Sequence, residues 1–134
     1  MAQPSEAGLR VAVALLVFSG VAEAQTASPL VCRVKKKIDS ERAYSQDDLN
    51  RFQFTVEVLP AGAKSKLRRC SYSPSAGHVT CDEYEADYEV RDMATGIRKL
   101  YYYRGQFDVQ VFPNGTFVEN NGRGSIAFGT CSSY

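Results

Sequence analysis

Four cysteines, Cys32, Cys70, Cys81 and Cys131, constrain this chain more than any other feature. An even number of cysteines in a short chain reads as a disulfide framework when the compartment is oxidising. Zinc is the rival use of thiols. Here no two cysteines have the Cys-x-x-Cys spacing and His78 is the only histidine, so the ligand set of a typical zinc site is missing. Two disulfides, no metal and no cofactor are expected.

Which cysteines pair follows from one stretch. KLRRCSYSPSAGHVTCDEYE, from Lys66 to Glu85, reads as a hairpin closed by the loop from Ser73 to His78. Pairing Tyr72 with Val79 sets Cys70 opposite Cys81, Arg68 opposite Glu83 and Lys66 opposite Glu85, and one further step sets Lys64 opposite Asp87. Opposite charges facing each other across a ladder add about 0.2–1 kcal/mol each. The same register puts Leu67 opposite Tyr84 on the other face, alongside Ala86, Tyr88 and Val90. A one-residue slip would undo all of these pairings together. The hairpin therefore predicts an outward-facing Cys70–Cys81 bridge, leaving Cys32 and Cys131 to tie the two ends of the domain.

The rest of the chain is patterned for strands. Arg51–Leu59 (RFQFTVEVL) alternates Phe52, Phe54, Val56 and Val58 with polar residues, the period of a half-buried strand. Glu83–Arg91 (EYEADYEVR) and Gln106–Val111 repeat the pattern, and Leu30–Ile38 and Ile97–Arg104 carry it more weakly. No segment sustains a helical period. Ser45–Arg51 can form at most a helical turn, with Ser45 or Asp47 as its cap. Gly96 ends one predicted turn, and Asn114-Gly115 is a strong hairpin signal between Phe112 and Phe117. The expected fold is all-β, an antiparallel meander of about seven to nine short strands closed as a small barrel or flattened as a sandwich.

Residues 1–24 stand apart from this pattern. Arg10 precedes the apolar run Val11–Ala22, and Ala22-Glu23-Ala24 fits a signal-peptidase site. The run is too short to span a bilayer core of about 30 Å as a helix. The reading is a signal peptide over 1–24 and a single all-β domain over 25–134, periplasmic or secreted, not inserted in the membrane after cleavage, and monomeric. The domain carries 15 basic and 13 acidic residues, a balance that calls for no nucleic acid and no anionic membrane.

The stretch FVENNGRGSIAFGTC, residues 117–131, poses a choice between a ligand loop and a turn. Glycines beside Asn120, Asn121 and Arg123 could cradle an anion. A phosphate loop, however, ends in Lys-Ser/Thr and opens a helix, whereas SIAFGTC reads as strand. If the Asn114-Gly115 turn pairs Val111 with Val118, a bulged loop of three or five residues, with Gly122 or Gly124 at positive φ, sends Ile126 and Phe128 to the core. Cys131 then has the wrong parity to face Cys32, so a backbone irregularity at Gly129 is expected.

Other candidates are sparse. The stripe Glu83, Glu85, Asp87, Glu89 could hold calcium or hydrolytic carboxylates, but the hairpin register matches three of the four with cations. Lys35-Lys36-Lys37 reads as a solvated strand end. Tyr101, Tyr102 and Tyr103 alternate in direction along a strand, so at least one ring faces out, and an outward tyrosine is a rigid, amphipathic contact for sugars or proteins. His78 sits in the hairpin loop, and no G-x-S-x-G nucleophile turn occurs.

The ending FVENNGRGSIAFGTC, with the leader and the early Cys32, resembles small exported bacterial proteins of unknown function. That resemblance implies export and a compact β fold, and no activity. Small periplasmic lysozyme inhibitors share the general plan of leader, β-barrel and terminal disulfide, an analogy of fold alone since their inhibitory loop has no counterpart here. The expectation is a non-catalytic module binding a protein or saccharide in the cell envelope through Tyr101, Tyr102, Tyr103, Asn120, Asn121 and Arg123. The alternative is a small secreted hydrolase or nuclease using His78 with Glu119 or Arg123.

Overall fold

The computed structural model describes residues 28–134, so the leader segment 1–24 lies outside the described residues. Nine strands and one short helix follow in chain order: β1 Leu30–Ile38, α1 Gln46–Phe52, β2 Thr55–Ala61, β3 Lys64–Ser73, β4 His78–Glu85, β5 Tyr88–Arg91, β6 Arg98–Tyr102, β7 Phe107–Val111, β8 Thr116–Asn120 and β9 Ile126–Ser133. They form one antiparallel sheet, ordered β4-β3-β2-β1-β9-β8-β7-β6-β5 and curled into a half-barrel. The first and last strands meet in the middle of this sheet, while the edge strands β4 and β5 are consecutive in sequence.

The curl has a local cause. At Ala86-Asp87 the chain stops pairing with β3 and begins pairing with β6. The Ala86 amide donates to the Ser65 carbonyl at 2.9 Å, and the next amide, of Asp87, donates to the Tyr101 carbonyl at 2.9 Å. Two adjacent amides thus bond to β3 on one side and to β6 on the other, the strands next to the two edges, and draw the two ends of the sheet together. This break corrects the expectation of one strand over Glu83–Arg91. Tyr84 and Ala86 do turn inward, but Tyr88 and Val90 are exposed and Glu89 takes the inward position instead. Lys64 pairs with Ala61 rather than Asp87, and the Asp87 carboxylate accepts from the Tyr103 amide at 2.7 Å.

The predicted hairpin register is observed: Tyr72 faces Val79, Cys70 faces Cys81, Arg68 faces Glu83, Lys66 faces Glu85 and Leu67 faces Tyr84. The ion pairs run partly along the diagonal. Glu83 takes both Lys66, at 3.6 Å, and Arg68, at 3.8 Å, and Arg68 also bonds to Glu57 on β2. Both disulfides form as the register requires, Cys32–Cys131 and Cys70–Cys81. Cys81 is exposed on the outer face, while its partner Cys70 is largely covered there.

Two further expectations are corrected. Arg51 and Phe52 belong to α1, because a capping box overrides their alternation: the Asp48 amide bonds to Ser45 Oγ and the Ser45 amide to the Asp48 carboxylate. Gln53, left-handed at φ 52°, ends the helix, and Phe52 stacks on Phe54 with centroids 5.5 Å apart. In the C-terminal strands, the Asn114-Gly115 turn pairs Val111 with Phe117, not with Val118. The inner face accordingly carries Phe117 and Glu119 on β8 and Ala127, Gly129 and Cys131 on β9, while Ile126 and Phe128 face out.

Cys131 therefore reaches Cys32 along a regular β9. The irregularity lies across the ladder, on β1, where Val34 faces Gly129 and Lys36 faces Phe128, leaving Lys35 as an extra, bulged residue. The core inside the curl is built on Cys32, Val56, Val58, Leu67, Leu100, Val109 and Phe117, all essentially without exposure.

Candidate functional site

The bulge at Lys35 sets up the first candidate site. Upstream of it Cys32 and Val34 point into the curl; downstream the parity reverses, so Lys37, opposite Ala127, points inward rather than into solvent. A bulge commonly re-aims a side chain in this way. Lys37 Nζ lies 4.0 Å from the centroid of the Phe54 ring and 5.3 Å from that of Tyr44. Burial pushes its ammonium below the ordinary lysine value, against the pull of the Glu119 carboxylate.

Arg69 arrives at the same place from β3. It has the parity of Leu67 and so faces inward, where its guanidinium sits 4.8 Å over the Phe107 ring. Its Nη2 donates to Glu119 Oε1 on β8 at 2.6 Å, spanning the concave face between strands that are not sheet neighbours. The Glu119 side chain is 6% exposed and that of Arg69 29%. Lys37, Arg69, Glu119, Phe54, Thr80 and Asp82 line a cleft of about 190 Å³ at this end of the half-barrel.

The second candidate site is on the outer face. Tyr101 and Tyr103 point outward, and Tyr88 on β5 is the ladder partner of Tyr101. The three rings form a row, with Tyr88–Tyr101 and Tyr101–Tyr103 centroids each 6.0 Å apart and interplanar angles of 37° and 34°. Tyr88 is 53% exposed and Tyr103 61%. Lys99 lies over the Tyr101 ring at 4.8 Å and within 3.9 Å of Asp108. Tyr102 points the other way, packed against Tyr84 and Phe107 at 4.8 and 5.2 Å.

The Asn-Gly loop is a turn whose polar groups serve the turn itself. The connection between β8 and β9 is five residues, with both Gly122 and Gly124 at positive φ, 72° and 88°. Asn120 Oδ1 accepts from the Gly122 amide, and Asn121 Oδ1 accepts from the amides of Arg123 and Ser125. A side chain at Gly122 would collide with the backbone of Gln106, so the loop docks on the β6–β7 turn. Asn120, Asn121 and Arg123 thus stand at the same end of the half-barrel as the tyrosines.

His78 begins β4 as an exposed residue, with Nδ1 3.0 Å from the Val79 carbonyl oxygen. Among the described residues no ion pair joins it to a carboxylate, and Glu119 is held by Arg69. Sequence reasoning passed over Lys37 and Arg69. Arg69 was within reach, since the hairpin register that turns Leu67 inward turns Arg69 inward as well. Lys37 was not, because the bulge that inverts its parity has no signature in a run of three lysines.

No family model matches the chain, and no curated protein or solved structure matches it.

Proposed function

We propose that this is an exported, non-catalytic binding module that engages a saccharide or protein of the cell envelope through the outward row of Tyr88, Tyr101 and Tyr103. The row is the observation that carries the reading. Three tyrosine rings in a row at 6.0 Å intervals present a long amphipathic strip, and tyrosine loses little conformational entropy when it is covered. The strip favours a saccharide, whose C–H faces can lie on the rings while its hydroxyls reach the phenols and Lys99. The two disulfides suit an oxidising, extracytoplasmic setting. Binding is favoured over hydrolysis because His78 is an exposed residue at the start of β4, bonded to its own neighbour, and Glu119 is committed to Arg69.

The test is co-sedimentation of the purified domain with insoluble cell-wall glycan, beside the variant Tyr88→Ala/Tyr101→Ala/Tyr103→Ala. Depletion of the wild type but not of the triple variant supports the reading. Equal depletion of both, or of neither, sinks the saccharide version.

A further inference from the structure

We infer that the open side of β4 is a docking edge for an extended polypeptide segment of another protein, which adds a strand to the sheet there. This site stands independently of the outer tyrosine row.

The segment from His78 to Arg91 is the seam of the half-barrel. Its first part, β4, pairs with β3, and its second part, β5, pairs with β6. Each part therefore has one open side. The open side of β5 is bridged, since Arg98 on β6 bonds both to Glu89 and, at 2.7 Å, to Ser65 on β3. The open side of β4 has no such bridge among the described residues. Hydrogen-bond parity decides which groups it offers. The Ala86 amide bonds to the Ser65 carbonyl on β3, and the Asp87 amide bonds away from β3, to the Tyr101 carbonyl. The β3–β4 register runs unbroken from there, so the even-numbered residues of β4 bond to β3 and the odd-numbered ones face the opening. Val79, Cys81 and Glu83 thus present their amides to the opening, and Cys81 and Glu83 their carbonyls. The Val79 carbonyl already has His78 Nδ1 at 3.0 Å.

Those groups select the partner. The donors and acceptors along one side of a strand recur about every 7 Å, and an extended backbone repeats them at the same spacing, as a sugar or a nucleic acid does not. An open edge of this kind is a template for strand addition. Beside it, between β4 and the β6–β7 turn, a pocket of about 410 Å³ is lined by Glu83, Tyr84, Glu85, Asp87, Tyr102 and Arg104, which leaves room for a side chain of the added strand. Charge sets what that strand can carry. Asp82, Glu83 and Glu85 already face Arg69, Arg68 and Lys66 across the β3–β4 ladder, so no charge is missing. An acidic residue placed opposite them is nonetheless repelled, whereas a basic or neutral one is not. The same three carboxylates disfavour the β4 of a second copy as the occupant.

The experiment is amide hydrogen exchange of the folded domain, read by NMR, with three probes at constant ionic strength. They are the peptide acetyl-Lys-Val-Lys-Val-Lys-Val-amide, its fully N-methylated form, and the same peptide with Glu in place of Lys. Without peptide, the amides of Val79, Cys81 and Glu83 should exchange faster than those of Thr80 and Asp82, which already bond to β3. At saturation the lysine peptide should slow the three odd-numbered amides about tenfold, with little change at Thr80 and Asp82. The glutamate peptide should bind more weakly. The N-methylated peptide keeps the charge and the side chains but has no backbone donors, and it should protect none of the three. Equal protection by the N-methylated form would reduce the effect to charge attraction and overturn the assignment, as would no protection by the lysine peptide. Protection that grows with protein concentration in the absence of peptide would place a second copy on β4 and overturn it too. Every arm varies the probe and not the protein, so none depends on a variant that has to fold.

Discussion

Gly129 on β9 lies against the backbone carbonyl of Arg33 on β1, and the contact leaves no space for a side chain. A Cβ built there would collide with the Arg33 oxygen and come within 2.6 Å of Cε1 of Phe117. Gly129 is the ladder partner of Val34, at the point where the extra residue Lys35 is taken up. The bulge and the glycine are thus two halves of one feature, which packs β1 tightly on β9 and turns Lys37 into the cleft. Gly129→Ala must push β1 away and displace the Phe117 ring as well. Overpacking of this kind typically costs about 1–3 kcal/mol. Denaturant unfolding of the variant should show a loss in that range, and the amide of Lys37 should shift more than those of β5. A variant as stable as the wild type would mean that the approach of the two strands is loose.

How much of this was legible beforehand depended on whether a residue's partner was encoded near it. The β3–β4 register could be read because three kinds of pair, Cys70 with Cys81, Arg68 with Glu83 and Leu67 with Tyr84, agree on one alignment. Both disulfides followed from it. The direction of β8 and β9 could not be read, since it turned on whether Val111 meets Phe117 or Val118 across an Asn-Gly turn, and both are apolar. Likewise the exposure of Tyr88 and Val90 depends on a strand that changes partner at Ala86, and an unbroken alternation conceals that change. The lysine run hid its bulge for the same reason: identical neighbours carry no phase. Of the candidate sites, the tyrosines were visible as composition, whereas the cleft required knowing which strands curl together.

The two disulfides should differ in worth. Cys32–Cys131 spans 99 residues and its Cys32 end is wholly buried, while Cys70–Cys81 spans 11 and has an exposed end. Chain-entropy estimates are about 4.7 and about 3 kcal/mol respectively, both upper figures because the unfolded chain retains structure. The long bridge also fastens the first strand to the last at the middle of the sheet. Replacing Cys32 and Cys131 by alanine should therefore lower Tm more than replacing Cys70 and Cys81. Equal losses would count against the ranking.

The capping box predicts a local effect. Ser45→Ala removes the acceptor for the Asp48 amide and should cost about 1 kcal/mol. Because α1 is only seven residues and buries Leu49 alone, the loss should appear first as faster hydrogen exchange within α1. Exchange in β7 and β8 should change little. If protection fell evenly over the whole sheet, α1 would be an integral part of the cooperative unit rather than a strap laid on it.

The end of the half-barrel opposite the cleft predicts a pH dependence. Glu89 faces inward on β5 and bonds to Nε of Arg98, while Nη2 of Arg98 donates to Ser65 Oγ at 2.7 Å. Burial alone would raise the carboxyl pKa, but the hydrogen bonds from Arg98 and Ser65 outweigh it and hold the group below its ordinary value. A carboxyl lowered on folding binds fewer protons in the native state than in the unfolded one across the acid range. Its stabilising contribution is therefore complete above the unfolded value, about 4.3, and is lost as pH falls through the folded value. Glu89→Gln should be less stable than the wild type at pH 7, with the gap in Tm narrowing steadily as pH falls below about 4.3. Asp39, Asp48 and Asp92 are also held low, each by hydrogen bonds from its own turn or cap, but they are common to both proteins and cancel in the difference. A gap independent of pH would show that Glu89 contributes shape and not charge.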